Sequence, residues 1–283
     1  METVEQALVW ARAALARASD SEPLDATVLL AHVLGTDRAA LITHPERTLT
    51  PDQSTRFHDL VTRRAAGTPV PYLTGTRAFY GLEFAVTPDV LIPRPETEHL
   101  IEAALAWARE RRDLRVADVG TGSGAIAVTL ATQLPEARVW AVDISPAALA
   151  VASRNVDRYD LGKRVQCVRG DLLEPLSAAG LKIDLIAANL PYIALDDLGS
   201  LPVALHEPRL ALAGGADGLD MIRRLLDQAP GVLAADGLLL MEIGAGQGAR
   251  VCALAEAAFP GARVRLVADY AGHDRVVCVE RGT

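Results

Sequence analysis

The sequence predicts an α/β protein whose larger part is a seven-stranded sheet, with six parallel strands and one antiparallel strand. From Arg115 onward, short apolar runs alternate with helical patterns, as in a parallel sheet that helices cover on both faces. The candidate strands are 115–119, 138–143, 164–168, 183–188, 237–243, 263–269 and 275–280. Residues 270–274 alone separate the last two strands, too few for a helical crossover, so we expect these two to pair antiparallel.

A small all-α domain is predicted for residues 1–67. Apolar side chains recur at helical spacing over residues 3–18, and Gly35 is a suitable end for a second helix that begins near Pro23. Thr50-Pro51 provides an N-cap followed by a proline at the first helical position. The predicted helices are 3–18, 23–34, 37–42 and 51–67.

Residues 68–93 differ in composition and predict a β-hairpin that joins two domains. Prolines and glycines interrupt aromatic and β-branched residues there, and we expect the turn near Gly81-Leu82. The part that follows contains the sheet and begins with a helix that starts at Glu96 or Thr97. The predicted domains are 1–67, 68–93 and 94–283.

Composition and charge exclude several classes of protein. Half of the 283 residues are hydrophobic and 23% are charged, as in a globular rather than a disordered protein. The formal net charge of −8 argues against stable nucleic-acid binding, which depends on a basic surface. No apolar run reaches about 18 residues, so we expect no membrane span. Because the sequence contains no repeat and no coiled-coil pattern, we expect a monomer.

The N-terminus and the cysteines indicate a cytoplasmic protein. The first five residues are acidic and precede an amphipathic stretch, which is the wrong order for a secretory signal. Cys167, Cys252 and Cys278 have no metal-binding spacing and fit buried thiols in a reducing compartment. The six histidines are scattered along the chain, so we predict no metal site.

A glycine-rich loop follows the first predicted strand of the sheet and opens a helix. It consists of Gly120, Thr121, Gly122, Ser123 and Gly124. Glycines let the backbone pass close to a ligand, and free N–H groups at the start of a helix can hold an anion. The spacing is G-x-G-x-G, not the G-x-G-x-x-G of dinucleotide sites. Taken alone, the loop fits a dinucleotide site about as well, or a tight turn with only a structural role.

Acidic residues end the next two strands. Asp143 is placed to accept hydrogen bonds from both ribose hydroxyls, or to cap the following helix, although Ser145 suits that role better. Asp171 is placed to accept from an adenine amino group, with Leu172 against the ring; its alternative role is that of a turn residue. With the glycine loop, these residues describe a groove for adenosine. Because no P-loop lysine follows the glycines, S-adenosylmethionine suits the groove better than a nucleoside triphosphate.

The segment Asn189-Leu190-Pro191-Tyr192 ends the fourth predicted strand, at the edge where α/β sheets bind ligands. An amide or aromatic amine nitrogen is a poor nucleophile because its lone pair is delocalised. The side-chain oxygen of Asn189 and the carbonyl of Leu190 can accept from its two N–H bonds as a new bond forms. Pro191 restricts Leu190 to extended conformations, and Tyr192 offers a flat face to a planar substrate. The segment therefore predicts methyl transfer to such a nitrogen; a structural turn with a packed tyrosine is the alternative.

With these motifs the chain resembles the bacterial release factor glutamine methyltransferases, the HemK/PrmC family. The resemblance covers nearly the whole chain, and its most specific segments lie outside the core that many methyltransferases share. These segments are Ile92-Pro93-Arg94-Pro95-Glu96-Thr97-Glu98, Glu207-Pro208-Arg209-Leu210-Ala211-Leu212 and Gly215-Ala216-Asp217-Gly218-Leu219. The resemblance implies a Rossmann-like methyltransferase sheet and N5-methylation of the glutamine in the Gly-Gly-Gln motif of class-I peptide chain release factors.

The family's site residues carry over to matching positions of this chain. Its contacts to S-adenosylmethionine fall on Gly120 through Gly124, Asp143, the position after Asp171, and Asn189. Its substrate contacts fall on Asn189 through Tyr192. Leu190 stands where the family has a proline, which predicts a less rigid but active turn. Leu172 stands where the family often has an aromatic residue, which predicts weaker stacking on adenine.

Two other functions remain open from the sequence. Asn-Leu-Pro-Tyr is also the form found in adenine-N6 ribosomal RNA dimethyltransferases, so the chain could be an adenine-N6 methyltransferase acting on RNA or DNA. The acidic charge, the helical N-terminal domain and the 92–98 segment argue against this function. The second alternative is a non-catalytic S-adenosylmethionine-binding protein, against which the presence of both Asn189 and Tyr192 argues.

Overall fold

The computed structural model describes residues 2–19 and 21–282 of the chain. The chain forms two compact units, which divide between Thr76 and Arg77. The three-part division at residues 67 and 93 stays a prediction.

The first unit consists of helices whose ends follow from their capping residues. Thr3 and Thr50 each accept a hydrogen bond from the backbone N–H three residues on, and the glutamine there returns one, which makes two capping boxes. Gly35 follows the second helix with a left-handed φ of 61°. The helices are α1 (Val4–Leu15), α2 (Glu22–Leu34), α3 (Arg38–Thr43), α4 (Pro51–Ala65) and α5 (Val70–Thr74). The four predicted helices are confirmed; α5 was not expected.

The β-hairpin is shorter than the range assigned to it from the sequence. It consists of β1 (Thr76–Phe79) and β2 (Leu82–Ala85). Tyr80 and Gly81 form the turn with positive φ angles of 47° and 75°, as a tight two-residue turn requires. The residues before it form α5 instead of a strand, and Gly75 ends that helix in the left-handed conformation.

The large sheet is mostly parallel, as predicted. Its elements in chain order are α6 (Glu98–Ala108), β3 (Arg115–Val119), α7 (Ala125–Gln133), β4 (Arg138–Asp143), α8 (Pro146–Arg158), β5 (Val165–Arg169), α9 (Glu174–Ala178), β6 (Ile183–Ala188), α10 (Leu195–Leu198), α11 (Asp220–Val232), β7 (Leu233–Glu242), α12 (Gly248–Ala258), β8 (Arg263–Ala268) and β9 (Asp274–Glu280). The strand order is β5-β4-β3-β6-β7-β9-β8. Strand β9 runs antiparallel to both neighbours, and the other six strands share one direction, which confirms the predicted fold.

The topology of this sheet determines where a ligand can bind. Helices α6 and α7 pack on one face, whereas α11 and α12 pack on the other, so β3 and β6 are buried on both sides and show no alternation in their sequence. Strand β3 lies between β4 and β6, so the chain changes direction across the sheet beside β3. Such a switch point, beyond the carboxyl ends of the strands, is the usual binding crevice of an α/β sheet.

Candidate active site

A cleft of about 330 Å³ opens at the carboxyl ends of the parallel strands. Val119 at the end of β3 pairs with Val142 of β4 and Ala188 of β6, so the residues that follow these strands come together. Most of the predicted site residues line the cleft, namely Gly120, Thr121, Gly122, Ser123, Asp143, Asp171, Leu172, Asn189, Leu190 and Pro191. Gly124 and Tyr192 do not line it.

The glycine loop is held against the sheet so closely that it leaves no room for a side chain at Gly120. The amides of Gly120 and Thr121 both donate to the carbonyl of Val142, at 2.9 and 3.0 Å. Gly120 has a φ of 73°, and a Cβ there would lie 2.9 Å from Cδ2 of Leu190. Glycine is therefore required at 120 both for its backbone conformation and for its contact with the Asn189 turn.

A buried carboxylate underlies this loop. Asp118 Oδ2 accepts from the Thr121 hydroxyl at 2.6 Å and from the Ala127 amide at 3.0 Å. Burial raises the pKa of Asp118 to about 7. Asp118 therefore connects the loop to the first turn of α7, a role that its position at the end of an apolar strand indicates only weakly.

Gly124 has a packing role, and its predicted cofactor contact stays a prediction. It precedes α7 with a φ of 79°, and a Cβ there would lie 3.2 Å from the Cβ of Ala152 on α8. A side chain at this position would push α7 and α8 apart, so packing alone already requires a glycine here.

Asp143 holds two backbone amides in addition to facing the cleft. Its Oδ2 accepts from the Gly122 amide and its Oδ1 from the Ser145 amide, both at 2.9 Å. Ser145, not Asp143, caps α8, because its hydroxyl accepts from the Ala148 amide at 3.2 Å. Each carboxylate oxygen can accept a second hydrogen bond, so Asp143 can still take two ribose hydroxyls.

Asp171 is paired with an arginine that sequence reasoning missed. Arg224 of α11 also lines the cleft, and its Nη2 donates to Asp171 Oδ2 at 2.6 Å. The other carboxylate oxygen of Asp171 can still accept a hydrogen bond. Leu172 is buried with a φ of 51°, an unusual conformation for leucine that the surrounding structure must enforce. No local motif marks Arg224, which reaches the site from a distant helix.

The Asn189 turn lies beside a threonine from the 92–98 segment. Asn189 Nδ2 donates to the hydroxyl of Thr97 at 3.1 Å, and Thr97 is buried. Leu190 is also buried, and its side chain packs toward the glycine loop. The Asn189 amide group is thus held by a specific partner at the wall of the cleft.

Tyr192 anchors the turn from outside the cleft. Its carbonyl accepts from Gln247 Nε2 at 3.0 Å, and a Cβ at Gly244 would lie 3.2 Å from its ring. Burial, together with the charge of Glu242, raises the pKa of the Tyr192 hydroxyl to about 12. The predicted flat face of Tyr192 toward the substrate stays a prediction.

Two of the three specific segments noted in the sequence, 92–98 and 207–212, meet at another wall of the cleft. Glu207, 5% exposed, accepts from Arg94 Nη2 at 2.5 Å and from the Ile92 amide at 3.3 Å. Arg94 and the neighbouring Pro208 line the cleft. In the described parts of the chain, no group of three or more metal-ligating side chains is present.

Comparisons with known proteins agree with this geometry. A family model described as PrmC N-terminal domain matches residues 6–75, and one described as Methyltransferase domain matches residues 116–207. The chain is 47% identical over 275 residues to a release factor glutamine methyltransferase from Moorella thermoacetica, with 96% of each chain covered. It is 43% identical over 284 residues to one from Bacillus subtilis, with 98% of each chain covered.

A solved structure supports the fold alone. The 16S rRNA N2 G1207 methyltransferase of T. Thermophilus, in complex with AdoMet and guanosine, matches with a TM-score of 0.53 and 19% identity. The match covers 73% of this chain and 49% of that chain.

Proposed function

The chain belongs to the family of release factor glutamine methyltransferases, and we propose that Asn189 and Leu190 hold the acceptor nitrogen in its reaction. The enzyme uses S-adenosylmethionine to methylate a release factor glutamine at the side-chain nitrogen, N5. The proposed substrate is the glutamine of the Gly-Gly-Gln motif of class-I peptide chain release factors. The observation that carries the proposal is the position of Asn189 at the cleft wall, directly beside the glycine loop.

The residues of the cleft fit S-adenosylmethionine. Gly120 and Gly122 line the cleft without side chains, so their backbone can contact a ligand. Asp143 has lone pairs left for ribose hydroxyls, and Asp171 has one for an adenine amino group. When bound, S-adenosylmethionine supplies a methyl group on a sulfonium that leaves as a neutral thioether, so no general acid is needed. The residues proposed to hold it are Gly120 to Gly124, Asp143, Asp171, Leu172 and Asn189.

On the acceptor side, the reaction depends on how the glutamine amide nitrogen is oriented toward the methyl donor. The side-chain oxygen of Asn189 and the carbonyl of Leu190 accept from the two N–H bonds of the glutamine amide and favour its pyramidal form. Pro191 restricts the direction of the Leu190 carbonyl, and Tyr192 anchors the turn through Gln247. Orientation of this kind can contribute about 7–11 kcal/mol in favourable cases.

Asn189→Ala tests this assignment. We expect methyl transfer to a recombinant release factor to collapse while S-adenosylmethionine affinity stays within about tenfold, because the lost interaction acts mainly in the transition state. Transfer is measured with a labelled methyl donor, and affinity by calorimetry. Undermethylated ribosomal RNA, offered in parallel to the wild type, should remain unlabelled. Label in RNA alone would overturn the proposal, and an unchanged rate in the variant would place the acceptor site elsewhere.

The remaining proposals concern assembly and location. We propose a cytoplasmic monomer without stable nucleic-acid binding, on the basis of its acidic charge and the absence of coiled-coil patterns in the sequence. Over the residues that the structure describes, no helix is long and apolar enough to cross a membrane. Light scattering during size-exclusion chromatography measures the mass; a dimer would contradict the proposed monomer.

A further inference from the structure

Glu242 is a buried carboxylate immediately behind the Asn189 turn. Met241 of β7 pairs with Ala188 of β6. Glu242 follows Met241 and Asn189 follows Ala188, so Glu242 and Asn189 lie side by side at the ends of adjacent strands. Glu242 is 1% exposed and does not line the cleft. In the described parts of the chain, its Oε2 atom has no hydrogen-bond partner.

The surroundings of Glu242 do not explain it as a structural ion pair. Arg275 of β9 is the nearby cation, but it binds Asp269, with Nη2 and Nε at 2.9 and 3.3 Å from Oδ2. Glu96 adds a repulsive charge. A buried carboxylate without its own cation lowers stability, so its presence points to a role in the site.

The side chains of Thr97 and Asn189 are close enough to Glu242 to favour its charged form by hydrogen bonding. Asn189 Nδ2 also donates to Thr97 Oγ1 at 3.1 Å, so the three side chains form one connected group.

The carboxylate determines which atoms of these three side chains donate hydrogen bonds and which accept them. An ionised carboxylate only accepts hydrogen bonds, and a threonine hydroxyl has a single hydrogen to donate. When the Thr97 hydroxyl donates to Glu242, its oxygen is left to accept from the Asn189 nitrogen. The nitrogen of Asn189 must then face Thr97 and Glu242, which turns its oxygen toward the cleft.

We propose that Glu242 is a positioning residue for methyl transfer, which acts with Thr97 to keep the Asn189 oxygen pointed at the acceptor nitrogen. This inference rests on the proposed role of Asn189. A protonated Glu242 can itself donate a hydrogen bond. The Asn189 side chain can then turn its oxygen toward Thr97 and Glu242 and its nitrogen toward the cleft.

Glu242→Gln and Thr97→Val test the inference, because both keep the shape of the side chain. Glutamine can donate as well as accept, and valine lacks the hydroxyl. We expect kcat for release factor methylation to fall by about 10- to 100-fold, the cost of a displaced reacting group. Affinity for S-adenosylmethionine, measured by calorimetry, should stay within about threefold because neither change touches Asp143 or the glycine loop. Thr97→Ser, which restores the hydroxyl, should recover most of the activity lost in Thr97→Val.

The pH profile supplies a readout that a structural role would not change. Burial raises the pKa of Glu242 to about 7, with Thr97, Arg275 and Asn189 opposing the shift and Glu96 adding to it; Tyr192 is also near. Wild-type kcat should therefore rise with pH through about 7, and Glu242→Gln should lose this step. Asp118 has a similar pKa but lies under the glycine loop, so its titration would persist in Glu242→Gln.

The outcomes separate this inference from the proposed function. If the wild type is active, Asn189→Ala is inactive, and both Glu242→Gln and Thr97→Val keep the wild-type kcat and pH profile, Glu242 has only a structural role and the inference is wrong. If the wild type does not label a release factor, the proposed function itself fails. If circular dichroism shows that Glu242→Gln does not fold, the kcat values of Thr97→Val and Thr97→Ser test the inference instead. Wild-type kcat in Thr97→Val would then contradict it.

Discussion

At the scale of single residues, Asp143 shows how one side chain serves both fold and ligand. Its two oxygens hold the amides of Gly122 and Ser145 at 2.9 Å, which joins the glycine loop to the start of α8. Asp143 also lines the cleft. A change at this residue therefore removes the support of the loop together with the proposed ligand contacts.

Asp143→Ala should weaken S-adenosylmethionine binding by about 10- to 100-fold, because hydrogen bonds to charged groups are worth about 1.5–3 kcal/mol. Titration calorimetry measures the change. Asp184→Asn is the matched control: Asp184 accepts from the Arg115 amide at 2.7 Å near the opposite ends of the strands and does not line the cleft. Undiminished affinity in Asp143→Ala would mean that the ribose binds elsewhere.

At the scale of elements, the Arg94–Glu207 pair joins two segments that are distant in sequence. Glu207 belongs to the long connection between β6 and α11, whereas Ile92 and Arg94 precede α6. The Glu207 side chain is 2% exposed and accepts from both, so it fixes the path of both segments along the cleft. The same long connection also supports the residue after the Asn189 turn, because the Gly214 amide donates to the carbonyl of Ile193 at 2.8 Å.

A double-mutant cycle of Arg94→Ala and Glu207→Ala should give a coupling energy of about 1.5–3 kcal/mol, because Glu207 is buried. Urea unfolding measures the free energies. The exposed pair Arg112–Glu136, at 3.6 Å, is the control, and its coupling should be much smaller. Equal couplings for the two pairs would show that burial of Glu207 adds nothing.

At the scale of the whole molecule, two buried acids make stability depend on pH. Burial raises the pKa values of Asp118 and Glu242 to about 7, from the ordinary values of 3.8 and 4.5 for these side chains. At pH values between the unfolded pKa values and about 7, these two carboxyl groups keep their protons in the folded protein and have lost them in the unfolded chain. The stability that these protons contribute is fully present below the unfolded values and is lost as pH rises through about 7.

The free energy of unfolding should therefore decrease between about pH 5 and pH 7, by at most about 1.4 kcal/mol per pH unit for each group. Urea unfolding at a series of pH values measures this slope. Glu242→Gln should reduce the slope because glutamine does not titrate. A stability that increases with pH over this window would contradict the assigned protonation of both acids.

The sequence alone determined most of the elements and most of the predicted site residues that line the cleft. Hydrophobic periodicity and capping are local, so the helices beginning at Val4 and Pro51 and the strand Arg115–Val119 could be predicted closely. The glycine loop, Asp143 and the Asn189 turn could be found because each follows a strand, and parallel strands end at one edge.

Only the tertiary structure decided which distant residues meet there. Thr97 is 92 positions from Asn189, and Arg224 is 53 positions from Asp171; no local pattern encodes either pair. Tertiary packing also places Gly124 against α8 and the carbonyl of Tyr192 beside Gln247. Glu242 reaches Asn189 because the register of β6 and β7 places them side by side, and register is set by the burial of two whole strands, not by any short motif.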